Sequence, residues 1–252
     1  MPCSLWILSD AKEQQLRQAI NSTATHMLLC YVTDRHLLRS QQPSGAASID
    51  DLFVHLERTF AAGVDWIQIR EKDLAARELL ELARRAIAVT RLEANARTRV
   101  VVNDRLDVAI AAGAAGVHLG GDSIPVAEAV QWCRAGNAPP DFMVGASCHD
   151  VQEAIAAERA GGNYIFFGPV YETPAKMKFG APQGVDKLAE VCRSVQIPVL
   201  AIGGIDEENA GTCLRAGAAG VAAIRLFQQS PDAASLGGVV MRLHAIRPNA
   251  TR

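Results

Sequence analysis

The chain has 252 residues, a formal net charge of −2, and 49% hydrophobic against 21% charged residues, which is the composition of an ordinary globular protein. The nearly balanced charge gives no reason to expect a nucleic-acid or membrane partner. No apolar run approaches the roughly 20 residues that a membrane-spanning helix needs, and the length fits one large domain such as an α/β barrel.

The N-terminal segment 1–26 precedes the first predicted strand. Its apolar stretch Leu5–Leu8 is too short for a signal peptide, and Gln14–Ile20 has the pattern of one short amphipathic turn. We therefore expect an N-terminal extension, followed by a single barrel domain over 27–252. A chain that starts at Met27 is expected to fold and to keep its activity, since the extension contributes none of the predicted strands.

Short β-branched runs alternate along the chain with longer helical patterns, as is typical of βα units in a parallel sheet. The predicted strands are Leu28–Thr33, Val64–Ile69, Arg99–Val102, Gly116–Leu119, Phe142–Ala146, Tyr164–Phe167, Val199–Ile202 and Gly220–Ile224. The clearest helical patterns are Ala76–Thr90, Ala127–Cys133, Val151–Ala160 and Glu207–Arg215, and helix-ending glycines are expected at Gly113, Gly161 and Gly217. Eight such units favour a (β/α)8 TIM barrel over an open doubly wound sheet.

The second predicted strand runs into Gln68-Ile69-Arg70-Glu71-Lys72. Alternate side chains of a strand share one face, so Gln68, Arg70 and Lys72 are expected to point the same way. Two cations and an amide at one place suit an anionic, phosphate-bearing small molecule. The alternative is an amphipathic edge strand with solvated charges.

Polar residues also follow the next strands. In a TIM barrel the carboxyl ends of the strands form the active site, so Asn103, Asp104, His118 and Ser147 are expected around one mouth. A carboxylate beside cations and phosphate suggests Mg²⁺, with Asp104 as ligand; alternatively Asp104 pairs with Arg105 or caps a helix. His118 either contacts substrate or is packed and hydrogen-bonded.

The later strands add a loop and a glycine pair. The loop 171–184 is long for a βα connection and carries Lys176, which is typical of a lid over a charged substrate. Gly203-Gly204 follows the seventh strand, and such glycines let backbone N–H groups approach a phosphate closely.

The six cysteines are scattered without a CxxC pair, which indicates reduced thiols in a cytoplasmic protein. Cys148 lies among polar neighbours, and for it we favour a structural role over that of a nucleophile.

Taken together, these motifs resemble the thiamine phosphate synthase/TenI superfamily over roughly residues 28–228. The matching elements are Tyr31-Val32-Thr33-Asp34, Gln68-Ile69-Arg70-Glu71-Lys72, Asn103-Asp104-Arg105, Gly116-Val117-His118-Leu119-Gly120, Gly168-Pro169 through Thr173 and Lys176, and Ala201-Ile202-Gly203-Gly204-Ile205.

The resemblance implies a Mg²⁺-dependent transferase that joins hydroxymethylpyrimidine diphosphate to thiazole phosphate and releases pyrophosphate. It implies that Arg70, Lys72, Asn103 and Lys176 hold the diphosphate, with Gln68 nearby. The remaining implied contacts are Asp104 to Mg²⁺, Ser147 to the pyrimidine diphosphate, and Thr173, Gly203, Gly204, Ile224 and Arg225 to the thiazole phosphate. The partners expected are phosphorylated small molecules, with no nucleic acid and no membrane, and a homo-oligomer is one arrangement left open.

The chain departs from the synthase pattern at several positions. Where synthases carry a second Mg²⁺ aspartate this chain has Ser123, so that ligand is either lost or displaced to Asp122. Ala175 replaces a threonine, and Arg225 replaces a small or hydroxylated residue. The TenI-type tautomerases carry histidine where this chain has Pro169, which disfavours the first alternative, a thiazole phosphate tautomerase. A non-catalytic barrel that binds a thiamine precursor is the second alternative.

Overall fold

The computed structural model describes residues 26–38, 47–92, 98–173 and 181–247, and its eight parallel strands close into a barrel in chain order. The strands are β1 (Leu28–Val32), β2 (Trp66–Ile69), β3 (Arg99–Asn103), β4 (Gly116–Leu119), β5 (Met143–Cys148), β6 (Tyr164–Phe167), β7 (Val199–Ile202) and β8 (Gly220–Ala223). The predicted (β/α)8 fold is confirmed, and the predicted strands differ from those observed only at their ends.

Helices lie between the strands and pack against the outside of the barrel. They are α1 (Ile49–Ala61), α2 (Ala76–Leu92), α3 (Leu106–Ala112), α4 (Val126–Trp132), α5 (Val151–Arg159), α6 (Gly184–Ser194), α7 (Ala210–Arg215), α8 (Arg225–Gln228) and α9 (Ala233–Ala245). The predicted helix ends at Gly113, Gly161 and Gly217 are confirmed, since all three glycines have positive φ.

One helix begins later than the sequence pattern predicts. Helix α7 was expected from Glu207 but begins at Ala210. The Asp206 carboxylate accepts hydrogen bonds from the backbone N–H groups of Glu208 and Asn209 at 3.0 and 2.9 Å. This turn satisfies the backbone locally and delays the helix, as aspartate side chains often do.

The barrel interior is a small, separate apolar core. It contains Trp66, Tyr164 and Phe166 together with smaller aliphatic side chains, all buried. Gly145 makes room for one of these rings, because a Cβ there would come within 2.1 Å of the Tyr164 ring. Below its mouth the barrel is therefore filled with side chains, and ligands can reach only the loop-bearing ends.

Among the described residues, no helix is long and apolar enough to cross a membrane. The predicted extension lies outside the described residues except for His26, so the expectations for 1–25, including the turn at Gln14–Ile20, stay predictions.

We predict that Gly220→Ala destabilises the fold at the seam where the barrel closes. Gly220 pairs with Leu28, and a Cβ at Gly220 would lie 2.1 Å from the Leu28 carbonyl oxygen, so the backbone has to shift. Overpacking of this kind costs on the order of 1–3 kcal/mol, which lowers the melting temperature of a chain this size by roughly 2–12 °C.

Gly237→Ala is the matched control, because a Cβ at this position in α9 meets nothing within 4 Å. This variant should melt at or slightly above the wild-type temperature, since alanine is the better helix former. Thermal unfolding followed by circular dichroism measures both variants, and equal melting temperatures would contradict the close packing of the seam.

Candidate active site

A chain of hydrogen bonds crosses the barrel mouth from β2 to the loop after β4. The Gln68 Nε2 donates to Asn103 Oδ1 at 2.8 Å, and Asn103 Nδ2 donates to Asp104 Oδ2 at 2.6 Å. Gln68 is buried, while Asn103 and Asp104 are partly exposed toward the loops. The two amides are thereby oriented, and Asp104 is held in one position at the rim.

Asp104 has a backbone conformation that side-chain-bearing residues rarely adopt, with φ of 59°. Its Oδ1 accepts hydrogen bonds from the Gly120 N–H at 3.2 Å and from the Ser123 hydroxyl. The strained backbone and the donors around the carboxylate are typical of a functional position. Asp104 does not pair with Arg105 as the alternative proposed, because Arg105 donates to Asp107 at 2.8 Å.

Asp122 lies in the turn just before Ser123 and is exposed. Of the two neighbours, Ser123 is the residue that contacts Asp104. Among the described residues, no set of three or more potential metal ligands includes Asp104 or Asp122. The metal role of both aspartates stays a prediction.

His118 on β4 is buried and hydrogen-bonded. Its Nε2 lies 2.9 Å from Ser147 Oγ, its Nδ1 lies 3.3 Å from the Tyr164 hydroxyl, and its ring lies 4.1 Å from that of Phe166. Burial lowers the pKa of His118 to about 3, an effect that Asp104 opposes and the Arg70 cation reinforces. The imidazole is therefore neutral and orients Ser147 at the end of β5.

Arg70 and Lys72 lie beyond the end of their strand. Because β2 ends at Ile69, the alternation that predicted a shared direction for these two cations does not extend to them. The Arg70 N–H donates to Thr33 Oγ1 at 2.9 Å, and its half-buried side chain is close enough to act on His118. Lys72 is exposed in the following turn.

An ion-pair cluster that the sequence analysis did not identify joins the first two loops of the mouth. The Arg35 guanidinium lies 3.0 Å from the buried Glu71 carboxylate and 2.5 Å from Asp73. Arg35 holds the pKa of Asp73 well below its usual range. The available signal was that Arg35 and Glu71 both follow neighbouring strands, where opposite charges can meet.

The glycine pair after β7 allows the loop after β6 to pack closely against it. Gly203 and Gly204 have φ of 97° and 67°, and a Cβ on either would lie 2.6 Å from the backbone of Pro169 or Glu172. Thr173 follows directly on this loop and is partly buried. The predicted phosphate-binding glycines thus lie beside Thr173's loop at the mouth.

The end of β8 brings two further predicted residues to this rim. Ile224 and Arg225 lie where the strand passes into α8, and both are partly buried. Within the described ranges Arg225 forms no ion pair. Lys176 and Ala175, with the rest of the expected lid over 174–180, lie outside the described residues.

Cys148 is buried, and burial raises its pKa to about 12. The thiol therefore stays protonated and is a poor nucleophile, in agreement with a structural role. Besides the Arg35 cluster, the described mouth offers the fixed Asp104 carboxylate, neutral hydrogen-bonding groups and the Arg70 and Arg225 side chains. This set is suited to binding and neutralising phosphate charge.

Comparisons with known proteins agree with this arrangement. Residues 39–227 match the family model described as thiamine monophosphate synthase. The putative thiamine-phosphate synthase of Geobacter sulfurreducens is 45% identical over 204 residues, 81% of this chain and 88% of the relative. The thiamine-phosphate synthase of a Roseiflexus species is 36% identical over 215 residues, 85% of each chain.

A solved structure is similar as well. The thiamine phosphate pyrophosphorylase from Pyrococcus furiosus superposes with a TM-score of 0.69 at 29% identity, covering 86% of this chain and 96% of its own.

We predict that the His118 imidazole remains neutral throughout the physiological pH range. The His118 resonance is assigned by its loss in a His118→Gln variant, and the chemical shift of its Cε1–H in NMR should stay constant from pH 8 to pH 5.

The stability of the fold should also depend on His118. In the unfolded chain its imidazole is protonated near pH 6.5, and in the folded chain only near pH 3. The free energy of unfolding should therefore fall as the pH drops below about 6.5, and less so in the variant. A titration midpoint near 6.5 for this resonance would contradict the buried position.

Proposed function

This chain belongs to the thiamine monophosphate synthase family, and we propose that it joins hydroxymethylpyrimidine diphosphate to thiazole phosphate, releasing pyrophosphate and forming thiamine phosphate. The observation that carries the proposal is the fixed Asp104 carboxylate and the Arg70 cation, both close enough to His118 to act on it, with the Gly203-Gly204 turn at the same rim. Two anionic groups can thus be bound around one space.

The reaction breaks the bond between the pyrimidine methylene carbon and the diphosphate oxygen, and the electron pair leaves with pyrophosphate. The aminopyrimidine ring stabilises the remaining cation, and the thiazole nitrogen donates its lone pair to form the new C–N bond. Little proton transfer is required. The protein has to position both substrates and neutralise the leaving charge, which are large terms in catalysis.

In this proposal the diphosphate lies against Arg70, with Lys72 and Lys176 adding charge from the loops. Asn103 and Gln68 form the floor of this region, because their amides are already fixed by mutual hydrogen bonding. The neutral amides below the diphosphate and the cations around it together favour binding of the diphosphate. Because not every contact is charged, the product pyrophosphate is bound less tightly than it would be in a site lined only by cations.

Mg²⁺ fits the residues present at Asp104. This ion prefers one or two carboxylates together with substrate phosphate oxygens and water. Asp104 supplies one oriented carboxylate, and Asp122 on the adjacent turn is the proposed second ligand. When bound, Mg²⁺ would supply additional positive charge to the leaving diphosphate.

Ser147 and His118 act as a pair in this proposal. The neutral His118 fixes the Ser147 hydroxyl at 2.9 Å, so that Ser147 can hydrogen-bond the pyrimidine diphosphate. His118 is thus a positioning residue, held in turn by Tyr164.

The thiazole phosphate is proposed to bind at the opposite side of the rim. Gly203 and Gly204 offer backbone N–H groups, and Thr173 offers a hydroxyl from the neighbouring loop. Ile224 borders this site, and Arg225 adds a charge-assisted hydrogen bond. We place the enzyme in the cytoplasm, since the described cysteines are free thiols.

The first test is direct assay of the purified full-length protein with both substrates and Mg²⁺, with thiamine phosphate measured by chromatography. We expect product with wild type and a loss of about 30- to 1,000-fold in turnover for Arg70→Ala, the usual cost of one transition-state contact of roughly 2–4 kcal/mol.

Arg85→Ala is its matched control, because Arg85 is exposed on α2, where it pairs with the exposed Asp50 at 3.0 Å and lies over the Phe53 ring at 4.0 Å. This variant should retain the wild-type rate. Absence of product with wild type would refute the activity, and equal rates for the two arginine variants would refute the assignment of Arg70.

The second test concerns the metal. Asp104→Asn should raise the Mg²⁺ concentration needed for half-maximal rate by about tenfold or more, the scale on which groups around a metal act. Asp122→Asn should weaken activation less, because Asp122 is exposed and Ser123 is the residue bonded to Asp104. The exposed Asp107, paired with Arg105, provides the control Asp107→Asn. Activity that persists in a chelator would refute the role of Mg²⁺.

A further inference from the structure

Three potential metal ligands from distant parts of the chain meet at the opposite end of the barrel. His26 precedes β1, Asp65 precedes β2, and His244 lies in the last turn of α9. The Nε2 atoms of His26 and His244 lie 3.0 Å from Oδ1 and Oδ2 of Asp65, respectively. All three ligand atoms lie within 4.8 Å of one another.

This cluster is separate from the proposed active site. His26 and Asp65 stand at the amino-terminal ends of their strands, whereas Arg70 and Asp104 follow the carboxyl-terminal ends. The first and last Cα atoms of the five-residue strand β1 alone lie about 13 Å apart at 3.3 Å per residue. The apolar barrel interior, with Trp66 and Tyr164, lies between the two ends.

The cluster is oriented by its surroundings and remains accessible. The Leu29 N–H donates to Asp65 Oδ2 at 2.8 Å, which helps to fix the carboxylate. The two imidazole rings are in edge-to-face contact, with their centroids 4.3 Å apart. The side chains of His26, Asp65 and His244 are 28%, 20% and 24% exposed. An ion and its water ligands can therefore reach the three side chains.

We propose that His26, Asp65 and His244 form a binding site for a divalent transition-metal ion, with Zn²⁺ as the preferred ion. Two imidazoles and one carboxylate are the ligand types that zinc uses, whereas Mg²⁺ prefers oxygen ligands alone. Ligands about 2.0–2.1 Å from zinc lie roughly 3.3 Å apart in a tetrahedron. Each imidazole lies 3.0 Å from a different carboxylate oxygen, and one ligand atom from each residue falls within 4.8 Å of the others, so small side-chain shifts would bring the three around one ion. A water molecule would complete the tetrahedron.

The site would connect the C-terminal helix to the first two strands. Its ligands are separated by 39 and 179 residues along the chain, so the ion would be bound by the folded protein and not by the unfolded chain. The Asp65 carboxylate is already held between the two imidazoles and the Leu29 N–H, so the folded chain brings the three ligands together before an ion binds.

The alternative without metal is a purely structural cluster in which both histidines donate hydrogen bonds to Asp65. A metal site and a structural cluster differ in their response to added metal.

The test uses tag-free full-length protein that has been freed of metal by a chelator. The protein is titrated with Co²⁺, whose binding is followed by visible absorption, and Zn²⁺ binding is measured by competition with Co²⁺. We expect one equivalent bound to wild type, and affinity reduced at least about 100-fold in Asp65→Asn and His244→Gln, since even outer-shell changes cost 10–100-fold.

His36→Gln is the matched control. His36 also pairs with a carboxylate, Asp73, at 3.2 Å, but within the described chain this pair belongs to no set of three ligands. This variant should bind Co²⁺ as wild type does. Asp104→Asn should also bind it normally, which separates this site from the proposed Mg²⁺ site.

Thermal unfolding provides the second readout. Zn²⁺ should raise the melting temperature of wild type and of His36→Gln but not that of His244→Gln, because a ligand bound only by the folded state stabilises that state. Because His244 is partly exposed on the helix, we expect His244→Gln to fold, and circular dichroism checks this. Equal Co²⁺ affinity in wild type and His244→Gln, or no response of the wild type to either ion, would overturn the proposal.

Discussion

Hydrogen bonding between β8 and β1, in which Gly220 lies opposite Leu28, closes the barrel. The rest of the molecule depends on this closure, because all eight parallel strands then end at one rim. Asp104, Gly203 and Arg225 come from widely separated positions in the chain, and only the closed sheet places them around a common space. The close contact at Gly220 leaves no room for a side chain. The pairing of β8 with β1, and with it the position of the strand ends at the rim, therefore depends on a glycine at this position.

The polar groups at the rim are arranged so that little charge is buried. His118 is enclosed but neutral, and Gln68 and Asn103 satisfy one another. Arg70 and Asp104 are only partly buried, and the enclosed Glu71 carboxylate is paired with Arg35. An uncompensated buried charge is costly to a fold, and this distribution leaves the charged groups accessible to an anionic ligand.

The fold could be predicted closely from the sequence, because each strand is a short apolar run and each run is bounded by turn residues. The extent of β2 and the start of α7 could not. Both depend on competing hydrogen bonds, from Arg70 N–H to Thr33 and from two backbone N–H groups to Asp206, and such bonds are specified by residues outside the local pattern. The hydrogen-bond partners of His118 could not be predicted either, because Ser147 and Tyr164 are brought to it by the register of strands β4 to β6. The cluster of His26, Asp65 and His244 was missed for the same reason, its members being joined by tertiary structure alone.

The ion pairs of Arg35 have a consequence for the entropy of ligand binding. Arg35 Nη1 donates to both Glu71 and Asp73, so one guanidinium connects the loop after β1 to the loop after β2. Glu71 is enclosed, with its side chain 1% exposed, and a charge-assisted contact there is screened less by solvent than one at the surface. The conformational freedom of these two loops is therefore restricted when the chain folds. A ligand that enters the mouth meets one wall that is already ordered, and that part of the mouth adds little further loss of entropy on binding.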